Sequence, residues 1–197
     1  MGIIKIDKLR GLGFLSRLRE FFIKEYIMSD LKRFDAIKFQ GEAMTLVGPE
    51  VKVGDKATDF TAVKSDMSEF KLSDLEGKRV VISVVPSVDT PVCEEQTKTF
   101  NKEASELKDL VILTISCDLP FAQSRFCAAK GIDNLIMLSD YKGHDFGTKY
   151  GFLIEELQLL ARGVVIIDKD GCVEYVEYVP EATNLPDFDK AMEVLKK

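Results

Sequence analysis

Three short runs in this chain are almost wholly apolar and rich in β-branched residues: VVISVV (80–85), VILTIS (111–116) and GVVIID (163–168). A strand wet on one face alternates apolar and polar residues. Continuous runs such as the first two therefore describe strands covered on both faces, as in a sheet with helices packed against it. The segments between them can supply that cover. Pro91 to about Leu107 reads as a helix with Cys93, Gln96, Phe100, Ala104 and Leu107 on one stripe. A second helix reads from about Pro120 to Lys130, closed by Gly131 just past its end.

The remaining signals are shorter. DAIKFQG and EAMTLVG, from about residue 36, alternate and are parted by Gly41, as in a small hairpin. Gly54–Phe60 is rich in turn formers, and two short strands follow near Phe60–Val63 and Glu69–Leu72. A strand at Leu135–Leu138 precedes a helical segment near Gly143–Tyr150. DKDG (168–171) is a hairpin turn into CVEYVEYV (172–179), which alternates in period two, and a last helix spans Leu185 to Leu195. DKDG is not a calcium loop, because an EF-hand needs twelve residues and a terminal Glu. The layout is α/β with mixed strand directions.

Residues 1–33 differ from the rest. Leu12, Leu15, Leu18, Phe22 and Tyr26 recur at helical spacing, and residues 1–28 hold six basic and three acidic side chains, net +3, in a chain of net −6. This segment is a basic amphipathic extension outside a core domain at 34–197, with Met28 a candidate functional start, or a surface or membrane-interface helix. Arg17, Arg19, Glu20, Lys24 and Glu25 interrupt it, which a signal-peptide core would not tolerate. No run of 18 apolar residues occurs, so no transmembrane segment is expected.

The net charge of −6 argues against a nucleic-acid partner. The four cysteines, Cys93, Cys117, Cys127 and Cys172, form no CxxC pair, and the one histidine is His144, which weighs against zinc. Four cysteines are also too few for a disulfide-stapled secreted scaffold, so a cytoplasmic location with catalytic rather than structural thiols is the natural reading. Cys117, ending one strand, and Cys172, beginning another, read as packing residues. His144 reads as an isolated surface or cap residue.

PSVDTPVC (86–93) leaves a buried strand and enters a helix. Thr90 suits the N-cap and Pro91 the first helical position, which puts Cys93 in the first turn, beside unpaired backbone N–H groups and the positive end of the helix dipole. An ordinary thiol is only about 3% ionised at pH 7, and this setting favours the thiolate, the nucleophile that attacks a peroxide O–O bond and becomes a sulfenic acid. Glu94 and Glu95 oppose that charge, so a further cation is required. Spacing alone leaves open a cysteine that merely packs under its helix.

Pro86-x-x-x-Thr90-x-x-Cys93 resembles the active-site motif of peroxiredoxins. PSVDTPVC together with DLPFAQSRFC (118–127) is similar to the thiol peroxidases, their atypical two-cysteine subgroup, and the resemblance runs from about Phe39 to the C-terminus. It implies a thioredoxin-like fold, a central mixed β-sheet flanked by helices, with an N-terminal β-hairpin. It implies that Cys93 is the peroxidatic cysteine, that Thr90 contacts its sulfur and the peroxide, and that Pro86 shields the pocket. Arg162 would be the arginine that stabilises the thiolate, where spacing alone suggests a solvated loop residue. Cys127 would be the resolving cysteine, where its helical neighbours alone suggest a buried structural thiol.

The activity implied is antioxidant: reduction of hydrogen peroxide and organic hydroperoxides, without metal or organic cofactor, by a homodimer recycled by thioredoxin or a similar dithiol protein. Two other readings use the same thiols. A general thiol–disulfide oxidoreductase would normally carry CxxC, and a non-catalytic redox sensor would show no turnover.

Overall fold

The computed structural model describes residues 31–106 and 110–196, so the basic amphipathic segment expected before Met28 lies outside the described residues. The chain opens with a hairpin. β1 (Lys32–Phe39) and β2 (Glu42–Val47) pair antiparallel around Gln40–Gly41, whose φ angles of 54° and 85° make the two-residue turn that matches strand twist. β3 (Thr61–Lys64) and β4 (Glu69–Lys71) form a second hairpin, and β5 (Arg79–Val84) follows a short 3₁₀ turn. Then come α1 (Pro91–Glu106), β6 (Leu110–Ser116), α2 (Pro120–Lys130), β7 (Ile136–Ser139) and α3 (Asp145–Lys149). Two-residue strands β8 (Leu153–Ile154) and β9 (Leu159–Leu160) precede β10 (Gly163–Ile167), β11 (Val173–Tyr178) and α4 (Phe188–Leu195).

The large sheet has the order β11-β10-β5-β6-β7-β3-β4. β5, β6 and β7 are parallel to one another, while β10 and β3 join antiparallel, so the sheet is mixed as expected. Its central strands are buried on both faces. Val81, Ile112, Val164 and Ile166 pack under α1 and α4 through Phe100, Ala191, Met192 and Leu195. Val80, Ile82, Val84, Val165 and Ile167 face the opposite way, into a core completed by Phe60, Phe146, Tyr150 and Phe152. That alternation is why the three β-branched runs show no polar face.

Three features depart from the expected layout. β1 starts at Lys32, taking the last two residues of the expected extension into the hairpin. Arg33 is anchored there, its guanidinium 4.7 Å from the Tyr178 ring centroid. β8 and β9 extend the first hairpin into a four-stranded sheet, and strands of two residues carry no readable period. α4 begins at Phe188 rather than Leu185, because Pro186 disfavours helical geometry in the residue before it and Asp187 caps the helix by accepting from Lys190 N at 3.1 Å.

Asp140, 1% exposed, ties α3 to the end of β7. Its carboxylate accepts the N–H groups of Phe146 (3.0 Å) and Gly147 (2.8 Å). Burial, against the pull of those donors, pushes it from the ordinary 3.8 up to about 7. The folded state thus holds this proton more tightly than the unfolded chain. The associated stability is complete below about 3.8 and is lost as pH rises to about 7. Asp140→Asn cannot titrate, so the stability of wild type relative to this variant should fall by at most on the order of 4 kcal/mol across that window and then level off. Melting temperatures of both proteins at a series of pH values measure it, and a constant difference would refute it.

Candidate active site

The three parallel strands end on one side of the sheet, where α/β sheets place their chemistry. β5 runs out through Val85 and a buried Pro86 into the loop 87–90, and α1 starts at Pro91. The carbonyl of Thr90 accepts Glu94 N at 3.0 Å, while its hydroxyl turns to the sulfur instead of capping the helix N–H groups. Cys93 therefore sits in the first turn, fully buried, while Asp89 and Pro91 beside it are exposed. Among the described residues all four cysteines are unbonded thiols.

Register, not sequence proximity, delivers the cation. β10 is antiparallel to β5 with Gly163 opposite Val84, so the residue before β10 arrives beside the start of α1. That residue is Arg162, 2% exposed, not a solvated loop arginine. Its Nη2 donates to Cys93 Sγ at 3.2 Å, Nη1 to Gln96 Oε1 at 2.7 Å and Nε to the Ala182 carbonyl at 2.8 Å. Gly163 must lack a side chain for this approach, since a Cβ there would lie 2.0 Å from the Glu177 carbonyl oxygen and 2.5 Å from the Phe152 ring.

Thr90 Oγ1 is the second group on the sulfur, donating to Cys93 Sγ at 2.7 Å, with the Ser87 carbonyl a longer acceptor at 3.3 Å. A hydroxyl has one hydrogen, so Thr90 Oγ1 donates to one of these two acceptors at a time, and the sulfur is the nearer. Pro86, Thr90, Cys93 and Arg162 are thus gathered at one strand–helix junction.

Gln96 is a contributor that sequence reasoning placed on the helix stripe without giving it a task. It is fully buried one turn after Cys93, and its Nε2 lies 2.9 Å from Ser83 Oγ and 3.3 Å from the carbonyls of Val84 and Gly163. Those acceptors force its Oε1 toward Arg162. A neutral amide in an otherwise apolar stripe was the available signal.

Cys127 lies in the last turn of α2, half-buried against Val88, Phe126, Ile132 and Met137, and burial raises its thiol pKa. Cys117 is pushed up to about 12 by burial, and by the charges of Asp140 and Asp118. His144 occupies the N-cap position of α3 without a side-chain cap bond, and it is not isolated. Its Nδ1 lies 3.4 Å from Cys117 Sγ, although a thiol so hard to ionise is no nucleophile. Cys172 follows the 168–171 turn and leads into β11, its N–H donating to Asp168 Oδ1 at 2.7 Å.

The redoxin family model matches residues 52–195. This chain belongs to the redoxin family. A thiol peroxidase of Oceanobacillus iheyensis is 53% identical over 161 residues, 82% of this chain and 98% of that protein. A thiol peroxidase of Bacillus subtilis is 52% identical over 160 residues, 81% and 96% of the two chains. Among solved structures, a peroxiredoxin-like protein from Aquifex aeolicus superposes with a TM-score of 0.78 at 42% identity, covering 82% of this chain and 96% of that one. The chain is accordingly an enzyme of the peroxiredoxin type, a thiol-dependent peroxidase with the thioredoxin-like fold.

Removing the guanidinium should strip the sulfur of its one cationic contact among the described residues. Arg162→Ala should slow the reaction of the Cys93 thiol with hydroperoxide by roughly 100- to 1000-fold, the range for deleting a preorganised charge-stabilising donor. Gln96→Leu, which leaves the arginine in place but unsteered, should cost about tenfold. Quenched-flow loss of the free thiol measures both, and unchanged rates would return Arg162 to a packing role.

Proposed function

We propose that the chain reduces hydrogen peroxide and organic hydroperoxides at Cys93, with Cys127 resolving the product within the same chain. The observation that carries this is the buried Arg162. Its partners among the described residues are two neutral oxygens and the Cys93 sulfur, and a buried cation without an anionic partner is costly. The Cys93 thiolate supplies the missing negative charge.

The thiolate attacks the distal oxygen of ROOH. The S–O bond forms as the O–O bond breaks, RO⁻ leaves and takes a proton to become ROH, and Cys93 is oxidised to sulfenic acid. Arg162 and Thr90 face the oxygens on which charge develops, and Pro86 walls the site. Cys127 then attacks the sulfenic sulfur, an S–S bond forms, and the S–O bond breaks with loss of water. A dithiol protein such as thioredoxin returns both cysteines to thiols by exchange. We place this cycle in the reducing cytoplasm, in a homodimer, and assign the domain to residues 34–197 together with Lys32 and Arg33 of β1. Among the described residues no helix is long and apolar enough to cross a membrane.

The cysteine series is the direct test. Cys93→Ser should abolish turnover with thioredoxin and a hydroperoxide, because its alcohol does not ionise at neutral pH. Cys117→Ser and Cys172→Ser should stay within about threefold of wild type, since neither has the setting of a reactive thiol. Cys127→Ser should consume about one equivalent of peroxide and stall, then drift to sulfinic acid. Oxidised wild type should run as a monomer on a non-reducing denaturing gel and yield a Cys93–Cys127 peptide. Turnover in Cys93→Ser, or a disulfide elsewhere, would overturn the assignment.

A chain beginning at Met28 should match the full chain in melting temperature and activity. It keeps Leu31, whose carbonyl accepts Gly48 N at 2.8 Å, and Arg33 on the Tyr178 ring. Marked loss of either property would move the domain boundary upstream.

A further inference from the structure

Arg162 is held from outside its own strand by the segment that follows β11. Residues 179–184 belong to no helix or strand, yet they meet the arginine twice. Val179 N donates to the Arg162 carbonyl at 2.9 Å, and the Ala182 carbonyl accepts Arg162 Nε at 2.8 Å. Gln96 takes Nη1, so with Nε and Nη1 both engaged the planar guanidinium has its remaining arm, Nη2, directed at the Cys93 sulfur. A connecting segment is ordinarily the more mobile part of a domain. Whatever fixes residues 179–184 therefore governs how steadily the arginine is aimed.

The N-terminal hairpin fixes them. Lys38 N in β1 donates to the Pro180 carbonyl at 2.7 Å, and Ala182 N donates to the Lys38 carbonyl at 2.8 Å. Those two ties are backbone alone, and the third is a side chain. Glu181 Oε1 accepts Gln40 N at 3.1 Å and Oε2 accepts Gly41 N at 3.0 Å. One carboxylate thus collects both N–H groups of the hairpin turn, which lie outside the β1–β2 pairing. Oε1 also accepts Thr183 N at 3.1 Å and Thr183 Oγ1 at 2.7 Å. The Thr183 hydroxyl first, and the Gly41 N–H next, pull the Glu181 carboxyl from 4.5 down to about 2, so it is ionised at neutral pH.

We infer that Glu181 is a positioning residue for the peroxide step: by pinning the hairpin turn to residues 181–183 it holds the Ala182 carbonyl against Arg162 Nε, and so aims the guanidinium at the Cys93 sulfur. This rests on the assignment of Cys93 and Arg162 to peroxide reduction made above. Bonds from a carboxylate to backbone N–H groups are of the strong, charge-assisted kind, suited to ordering a loop. The β1–β2 hairpin brings no group of its own to the sulfur, but through Glu181 it belongs to the apparatus that sets the rate. A glutamate that only kept the hairpin on the domain would act without regard to the arginine, and that difference can be measured.

Glu181→Ala should slow the reaction of the Cys93 thiol with hydroperoxide about tenfold, as Gln96→Leu does, because each leaves the arginine present but less well aimed. Glu181→Gln keeps one acceptor oxygen and should fall between wild type and Glu181→Ala. The loss should disappear once the arginine is gone. Added to Arg162→Ala, Glu181→Ala should cost less than about twofold, since the two side chains act through one contact. Glu156 supplies the control, because both its oxygens lie 3.0 Å from Thr45 N and tie the same hairpin at β2 rather than at its turn. Glu156→Ala should stay within about twofold of wild type. An unchanged rate in Glu181→Ala would overturn the proposal. So would a tenfold loss that persisted without Arg162, or an equal loss in Glu156→Ala, since either means general loosening of the hairpin.

A second measurement needs no peroxide. The Arg162 Nε–H, buried and bonded to Ala182, should give a slowly exchanging nuclear magnetic resonance signal in the reduced protein, identified by its loss in Arg162→Ala. In Glu181→Ala that proton should exchange at least about tenfold faster while the amides of β5 and β10 stay protected. Unchanged exchange would defeat the positioning role even where the rate had fallen. Faster exchange combined with an unchanged peroxide rate in Arg162→Ala would defeat the assignment of the arginine to the reaction, and the proposal with it, although the contact itself stood.

Discussion

A guanidinium almost completely removed from water beside a sulfur is the contact on which the rest of this structure depends. Arg162 has almost no access to bulk solvent to offset its charge, and its neutral partners, Gln96 Oε1 and the Ala182 carbonyl, orient it without neutralising it. Its third partner is the Cys93 sulfur, 3.2 Å from Nη2. In the reaction proposed above, these donors act in a low-dielectric setting, where electrostatic contacts are strongest. Thr90 completes the set, because a hydroxyl 2.7 Å from the sulfur can donate to it only while the sulfur is an acceptor.

Much of the fold can be read as the scaffold for that contact. β5 must be buried on both faces so that it can end inside the protein, and β10 must run antiparallel beside it so that Arg162 reaches the same end. The absence of a side chain at Gly163 lets β10 approach Phe152 and β11 closely enough to hold the arginine below the surface. Gln96 belongs to α1 yet bonds to atoms of β5 and β10, so it locks helix, sheet and guanidinium into one geometry.

The two cysteines of the proposed cycle sit in different settings. Cys93 is fully enclosed, and Cys127, the resolving thiol in the cycle proposed above, is half-buried in the last turn of another helix. The two segments meet through hydrogen bonds and ion pairs, at Asp118 and at Glu94–Lys130, more than through deep apolar packing. The cluster under α2 is small, built from Val88, Phe126, Ile132 and Met137. Such contacts open locally at far less cost than the core beneath β5 and β10.

The sequence by itself determined the α/β class, the buried strands, the helix that opens at Pro91 and the place of Cys93 in its first turn. Each of these is local: β-branched runs, a proline at a helix start and a glycine past a helix end act within a few residues. It also showed that a cation was missing, since Glu94 and Glu95 flank the thiol. Only the tertiary structure decided which cation fills that need with what support. Arg162 is 69 positions from Cys93, and its meeting with the sulfur depends on strand register, which no local pattern encodes. The same holds for Gln96, for Asp118, for His144 against Cys117, and for β8 and β9, which are too short to show a period. Charge, burial and hydrogen bonding are properties of what surrounds a residue, and for these residues the surroundings come from distant parts of the chain.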